Sequence, residues 1–348
     1  MRIAFFASSV VPFHAKTLEE RPLGGTETGV IRLSEALAEL GHDVTVFTPM
    51  EEIPSAFSAS NPKYLPQNQI EKSGPFDIFV AVRDWIPTLY NVPARKRMMW
   101  TGDSYDQFSN FGLGDKRVAE RIDTLLTVGT WQADEMCRRS GFPREKAWVL
   151  GNGIHPAFFE GSETRQRKRM IYSSTPHRGL SFVPDFFSEV KKKHPDAEIH
   201  IFSSYQVYDQ QRNRDFELLE ESLKKTSGVV MRGSVKQSEL AREFMKSSVL
   251  FYPCDFEETS CITAMEAQAA GCVVLSSALA ALPETVGDAG ILIEGRPRSP
   301  HYKQQYVDAC DRLLSDDTLF EKLSTRGKER AKDFSWAKTA KRFMDTHQ

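Results

Sequence analysis

Hydrophobic residues along this chain fall into short unbroken runs, separated by longer stretches with helical spacing. The first runs are RIAFFAS (2–8), HDVTVFTP (42–49), FDIFVAV (76–82), RMMWT (97–101), TLLTVG (124–129) and AWVLGN (147–152). Runs this short, rich in β-branched and aromatic residues, read as buried strands rather than helices. Between the first two, TETGVIRLSEALAELG (26–41) puts Val30, Leu33, Leu37 and Leu40 on one helical face, with Thr26 expected as the cap and Gly41 as the terminator. Strand, helix, strand is a βαβ unit, which implies a parallel sheet and a right-handed crossover. The segment 50–75 shows no regular pattern and reads as irregular.

A polar, basic interruption, EGSETRQRKR (160–169), precedes a second series of the same kind. Its strand runs are MIYSS (170–174), EIHIFSS (198–204), GVVMRG (228–233), VLFYP (249–253), CVVLSS (272–277) and GILIE (290–294). Helical patterns cover 179–194, 212–225, 236–247, 259–271, 301–314 and 316–333, and DFSWAKTAKRFMDTHQ ends the chain as a helix with no strand after it. The expected fold class is therefore α/β, with two doubly wound Rossmann-like domains. They are expected at 1–160 and 161–333, with the boundary inside 155–168 and the segment 334–348 as a terminal helix. Such domains take ligands at the carboxyl ends of their strands, here in a cleft between the two halves.

Composition narrows the partners. The formal net charge of −2 gives no general attraction to nucleic acid. The basic runs RKRMMW (95–100) and RQRKRM (165–170) read first as solvated strand flanks. Peripheral membrane contact through Arg95, Lys96, Arg97 and 165–169 is the alternative. Five cysteines without a CxxC pair argue against zinc sites and disulfide frameworks, and suit buried thiols in a reducing, cytoplasmic setting. The start, MRIAFFASS, reads as a strand rather than a signal peptide, and the longest weakly polar run (269–282) is too short to span a membrane.

Three stretches carry candidate chemistry. PLGGTE (22–27) lies between the first strand and helix, where Gly24 and Gly25 let backbone amides approach an anion. The GxGxxG fingerprint is absent, so a simple dinucleotide enzyme is not supported. YSSTPHRGL (172–180) places Arg178 at a second strand-to-helix loop, where a fixed cation and free amides together suit a diphosphate. EETSCITAMEAQAAG (257–271) holds Glu258 before a helix that Thr259 or Ser260 is expected to cap, and Glu266 inside it among core-like neighbours. On an ideal helix that spacing is about 12 Å, too wide for the paired carboxylates of a glycoside hydrolase, roughly 5–9.5 Å apart. It suits one long ligand, with a ribose diol as a good partner for the buried Glu266.

These residues together resemble the retaining glycosyltransferases of the GT-B fold, family 4, often called group 1. The resemblance rests on the glutamate pair followed by AQAAGCVVLSS, on LGGTE, on LLTVGTWQADEMCRRSGFPREKAWVLGNGI (125–154), and on DFSW (333–336) with its following helix. It covers nearly the whole chain, and in that fold the terminal helix crosses back to the N-terminal domain. The resemblance implies a nucleotide-diphosphate sugar donor of UDP or GDP type and an unknown acceptor; no acidic cluster resembling a metal site appears in the sequence, so no metal or other cofactor is expected. The resemblance gives Glu266 the donor ribose, and Glu258 the hydroxyls of the transferred sugar. The amides of Ser260, Cys261 and Ile262 would approach the sugar and diphosphate, and Arg178 the diphosphate. Gly24 and Gly25 would face the diphosphate from the other domain, with Gly233 and Val235 in the base-binding turn.

Three positions depart from the family pattern. Tyr172 stands where a second basic residue is usual, leaving His177 as the neighbour that could share Arg178's task. Asp103 stands near the place of a frequent histidine beside the reacting sugar, and Cys261 stands where glycine is frequent. Glu258, Arg178 and Asp103 are thus the candidate catalytic residues. Two other readings fit the same residues. One is a nucleotide-sugar epimerase of related architecture, and the other a binding protein that kept the fold and lost the chemistry.

Overall fold

The computed structural model describes residues 1–9, 11–203 and 214–346. Ser204 and residues 212–213, the ends of an expected strand and an expected helix, lie outside these. The chain divides into two compact units, one formed by Met1–Gly153 with Trp336–Gln348, the other by Ile154–Ser335.

The first unit holds a parallel seven-stranded sheet of β1 (Arg2–Ala7), β2 (Asp43–Thr48), β3 (Lys63–Pro66), β4 (Phe76–Val82), β5 (Ala94–Trp100), β6 (Thr124–Thr127) and β7 (Ala147–Val149). Their spatial order is β3-β2-β1-β4-β5-β6-β7. Strands buried on both faces need apolar residues at every position, and β1 shows why. Ile3, Phe5 and Ala7 enter a cluster with Val30, Leu33 and Leu37 of the helix Gly25–Glu39, while Ala4 and Phe6 enter the opposite cluster with Phe47 and Phe79.

The second unit repeats the plan with β8 (Gln166–Ser173), β9 (Glu198–Phe202), β10 (Val229–Met231), β11 (Ser247–Tyr252), β12 (Val273–Ser277) and β13 (Gly290–Ile293). The order β10-β9-β8-β11-β12-β13 is the Rossmann order 3-2-1-4-5-6. In each sheet the connection reverses direction between two central strands, β1/β4 and β8/β11. The crevice outside the carboxyl ends of such a pair is where this class of sheet takes its ligand.

The terminal helix Trp336–Asp345 belongs to the first unit, as the GT-B resemblance implies. Trp336, Ala340 and Phe343 enter the cluster around Phe5 and Trp100. Arg342 Nε donates to the Leu150 carbonyl at 2.9 Å.

Four expectations need correction. The helix after Gly24 begins at Gly25, with Gly24 as N-cap, so Thr26 lies inside it rather than capping it. The segment 50–75 is not irregular throughout, since Lys63–Pro66 forms edge strand β3 on β2. Four residues ending in proline are too few to show alternation, and an edge is where proline is tolerated. The basic run at 165–169 is partly strand, because β8 starts at Gln166. Arg169 is buried there and pairs with Glu243, so its charge hid a strand position. Finally, the helix after Glu258 starts at Ile262, so neither Thr259 nor Ser260 is its cap.

Candidate functional site

Loops leaving the two central strands of the second sheet meet at its switch point. After β8 comes Ser174–Leu180 with Arg178, and after β11 comes Pro253–Cys261 with Glu258. One nitrogen of Arg178, Nη1, donates to both oxygens of Glu258, at 3.0 and 2.9 Å. Tyr252, the last residue of β11, donates its hydroxyl to Glu258 Oε1 at 2.5 Å. Glu258 is only 5% exposed, and a buried carboxylate needs such partners. The guanidinium also lies over the Phe256 ring, 4.6 Å from its centroid. This pair is neutral as it stands, so a diphosphate drawn to Arg178 must compete with Glu258.

Close approach of the two loops depends on Gly179. Its φ is +102°, and a Cβ there would stand 2.1 Å from the Pro253 carbonyl oxygen. No other residue combines that backbone with that clearance.

Beyond Glu258 the helix Ile262–Ala269 begins with Cys261 as N-cap, without a side-chain capping bond. The first amides of a helix have no intrahelical acceptor and suit an anion. Ser260 is buried, and its hydroxyl and that of Thr263 have no partner among the described residues. The Cys261 thiol is buried and pushed well above its ordinary range by desolvation, so it is a space-filling group, not a nucleophile.

Glu266 lies one turn inside this helix and is 6% exposed. Burial pushes its carboxyl up to about 7, opposed by one hydrogen bond from Gln237 Nε2 to Oε1 at 2.8 Å. Gln237 follows the loop after β10 that carries Gly233 and Val235, so that loop and Glu266 are joined through it. Gly233 has φ +70° with open space around its Cβ direction, and Val235 is half-buried against the core.

Neither Tyr172, at the place of the missing basic residue, nor His177, the neighbour expected to share Arg178's task, supplies charge here. Tyr172 is fully buried, its hydroxyl donating to the Thr175 carbonyl at 3.1 Å and its ring edge-on to Tyr252. His177 is held below its ordinary pKa by burial and by the adjacent Arg178, so it is neutral at pH 7 and packs edge-on against Phe256. Sequence reasoning also missed Tyr252, Phe256 and Gln237. Tyr252 was legible only as the last residue of a strand, Phe256 only as a residue of the loop after it, and Gln237 only as the start of a helix.

In the first unit Gly24 and Gly25 open the helix Gly25–Glu39, next to buried Glu27, which accepts from the Ser9 hydroxyl. Asp103 follows β5 and accepts from Arg83 Nε at 2.8 Å and from the Ser109 hydroxyl at 3.4 Å. Gln132 holds the Asp103 backbone by donating to its carbonyl at 2.8 Å. Among the described residues no group of three or more His, Cys, Asp or Glu is placed to hold a metal ion, and no helix is long and apolar enough to cross a membrane.

Comparison with known proteins agrees with this architecture. Residues 168–316 match the family model for glycosyl transferases group 1, and residues 23–158 that for glycosyltransferase family 4. The chain is 26% identical over 276 residues to the MMP α-(1→4)-mannosyltransferase of Mycolicibacterium hassiacum, covering 78% of this chain and 65% of that one. It is 24% identical to the D-inositol 3-phosphate glycosyltransferase of Streptomyces bingchenggensis, covering 68% and 54%. The match thus spans between half and two thirds of these relatives' own length. Anabaena HepE, solved with UDP and glucose, has the same fold at a TM-score of 0.75 and 12% identity, with 100% and 99% of the two chains covered. A glycosyltransferase from Rickettsia africae superposes at 0.75 with 14% identity, covering 99% and 97%. This chain belongs to the group 1, family 4 glycosyltransferases of the GT-B fold.

Proposed function

We propose that the chain moves a sugar from a nucleotide-diphosphate donor to an acceptor hydroxyl with retained anomeric configuration. The observation that carries this is Glu266, a buried carboxylate with one side-chain hydrogen bond among the described residues, in a helix preceded by Ser260, whose buried hydroxyl has no partner among those residues. A ribose diol supplies the two donors Glu266 lacks, and the helix amides suit the diphosphate behind it. The names of the relatives, a mannosyltransferase and an inositol-phosphate glycosyltransferase, support the reaction class, and HepE's UDP and glucose support the donor.

In this reading Arg178 and the amides of Ser260, Cys261 and Ile262 stabilise the departing diphosphate. Glu258 orients the sugar hydroxyls, and Gly233 and Val235 border the base. Gly24 and Gly25 offer amides on the first unit. The bond between the anomeric carbon and the diphosphate oxygen breaks while the acceptor oxygen bonds to the same face. The acceptor proton passes to the departing phosphate oxygen, so no side chain need attack. The five cysteines, all buried and free of disulfides, fit a reducing cytoplasmic setting. The basic runs give little support to membrane contact. Arg97 donates to the carbonyls of Thr88, Tyr90 and Val92, and Arg165 to those of Ser247 and Ala270.

A thermal-shift panel of nucleotides and nucleotide sugars, followed by calorimetry, tests the proposal, because a ligand of the native state raises its melting point. Glu266→Ala should abolish donor binding, and unchanged affinity would refute the assignment. Neutral His177 and buried Tyr172 favour one rival, binding without transfer. Donor turnover in a broad acceptor screen excludes it.

A further inference from the structure

Tyr172 and Tyr252 lie side by side under the second sheet's switch point, where the chain lacks a basic residue. β8, which carries Tyr172, pairs with β11, which ends in Tyr252. Both side chains are fully buried, with ring centroids 5.6 Å apart and planes at 61°. The Tyr172 hydroxyl turns back into its own loop, donating to the Thr175 carbonyl at 3.1 Å. The Tyr252 hydroxyl faces Glu258 instead. A phenol has one proton, and Tyr252 gives it to Glu258 Oε1 at 2.5 Å. The contact of the same hydroxyl with Ser174 Oγ, at 3.3 Å, therefore has the serine as donor. Ser174, Tyr252 and Glu258 form a chain of hydrogen bonds ending on a carboxylate, each link polarising the next.

Building on the glycosyltransferase reading, we infer that Tyr252 is a positioning residue for the transferred sugar. Its hydroxyl holds the Glu258 carboxylate in the orientation that accepts from sugar hydroxyls. The backbone of Glu258 is already anchored, since the Ala281 amide donates to its carbonyl at 3.0 Å. What remains to be set is the side chain, and its partners set it. Arg178, 27% exposed, is the cation that the same reading assigns to the diphosphate, so its bond to Glu258 is shared once a donor arrives. Tyr252 has no such second task. It is closed off from solvent and ligand, at the end of a central strand and against the Tyr172 ring. An ionised carboxylate offers about four acceptor positions, so one bond from Tyr252 leaves the others for the sugar. The tyrosine pair thus gives Glu258 a fixed proton donor without adding the charge that a lysine or arginine would bring.

Tyr252→Phe removes the hydroxyl and leaves both rings in place. Calorimetry on the full chain, with UDP- and GDP-hexoses each set against its free nucleotide, tests the inference, because only the sugar-bearing ligand calls on Glu258. Tyr252→Phe should weaken the nucleotide sugar about tenfold and leave the free nucleotide unchanged. Added to Glu258→Ala it should weaken binding no further, since the two residues act as one unit. A hydroxyl that merely stabilises the fold would lower the melting point and leave the ratio of the two affinities as in wild type. Tyr172→Phe, which removes a hydroxyl bonded within its own loop, should also leave that ratio alone. Ser174→Ala, at a half-buried side chain, shortens the hydrogen-bond chain from its far end and should shift the ratio in the same direction as Tyr252→Phe, by a smaller factor. An unchanged ratio in Tyr252→Phe, or a loss that adds in full to that of Glu258→Ala, overturns the inference. Nucleotide-sugar binding indifferent to Tyr252 refutes this inference alone, whereas a wild type that binds neither nucleotide nor nucleotide sugar refutes the reaction on which it rests.

Discussion

Replacing Glu266 by glutamine keeps the shape of the side chain and removes its charge, and the effect on stability should depend on pH. The carboxyl ordinarily titrates near 4.5 and is pushed up to about 7 in the fold by burial. A raised pKa means the native state favours the protonated form. Relative to the unfolded chain, the wild type therefore bears no penalty below about pH 4.5. It loses stability as pH rises from there toward 7, and bears the full penalty above. The gap between 4.5 and about 7, at about 1.36 kcal/mol per pH unit, amounts to about 3 kcal/mol. Glu266→Gln should thus be more stable than wild type by about 3 kcal/mol at pH 8, or about 6–12 °C in melting temperature for a unit of this size. At pH 4.5 the difference should fall below about 0.5 kcal/mol. Calorimetric melting of both proteins from pH 4.5 to 8.5 measures this, since other titrating groups cancel in the difference. A donor ribose needs the ionised acceptor oxygens, so wild-type affinity for nucleotide sugar should strengthen across the same window and be lost in the variant. A glutamine variant no more stable than wild type at pH 8, or a difference independent of pH, would refute the reasoning.

Other expectations follow from the same cluster. Arg178→Ala leaves Glu258 buried with Tyr252 as its remaining side-chain partner among the described residues, which should destabilise the fold by about 3 kcal/mol in urea unfolding as well as weaken diphosphate binding. Gly179→Ala drives a methyl group against the Pro253 carbonyl and should destabilise by more than about 3 kcal/mol, with a matching drop in melting temperature. Cys261 should resist a thiol reagent such as DTNB in the native protein and react only on unfolding, and rapid native modification would contradict its burial.

Much of this architecture was legible because parallel strands buried on both faces must be apolar throughout. FDIFVAV coincides with β4, Phe76–Val82, residue for residue. Legibility failed where a strand position is occupied by a paired charge, as at Arg169 with Glu243, and where a strand is only four residues long, as β3 is. The positions of Glu258, Arg178 and Glu266 could be read from loop and helix patterns, but their partners could not. Tyr252 looked like any strand aromatic and Gln237 like any helix start, because a hydrogen bond across 29 residues of sequence leaves no local pattern. Arg83 was silent for a different reason. A left-handed φ at arginine is imposed by the surroundings and has no signature in composition.

The placement of the helix Trp336–Asp345 has a consequence for how the chain reaches its native state. The second unit is one continuous stretch, whereas the first is interrupted and completed only by residues from 336 onward. During synthesis the second unit can therefore close its core while the first still lacks Trp336, Ala340 and Phe343. Until those arrive, Phe5, Trp100 and Gly29 face an unfilled groove on the first unit. A nascent chain stalled just before position 336 should carry one protease-resistant unit and one susceptible one, and in the cell that interval is when the first unit most needs a chaperone.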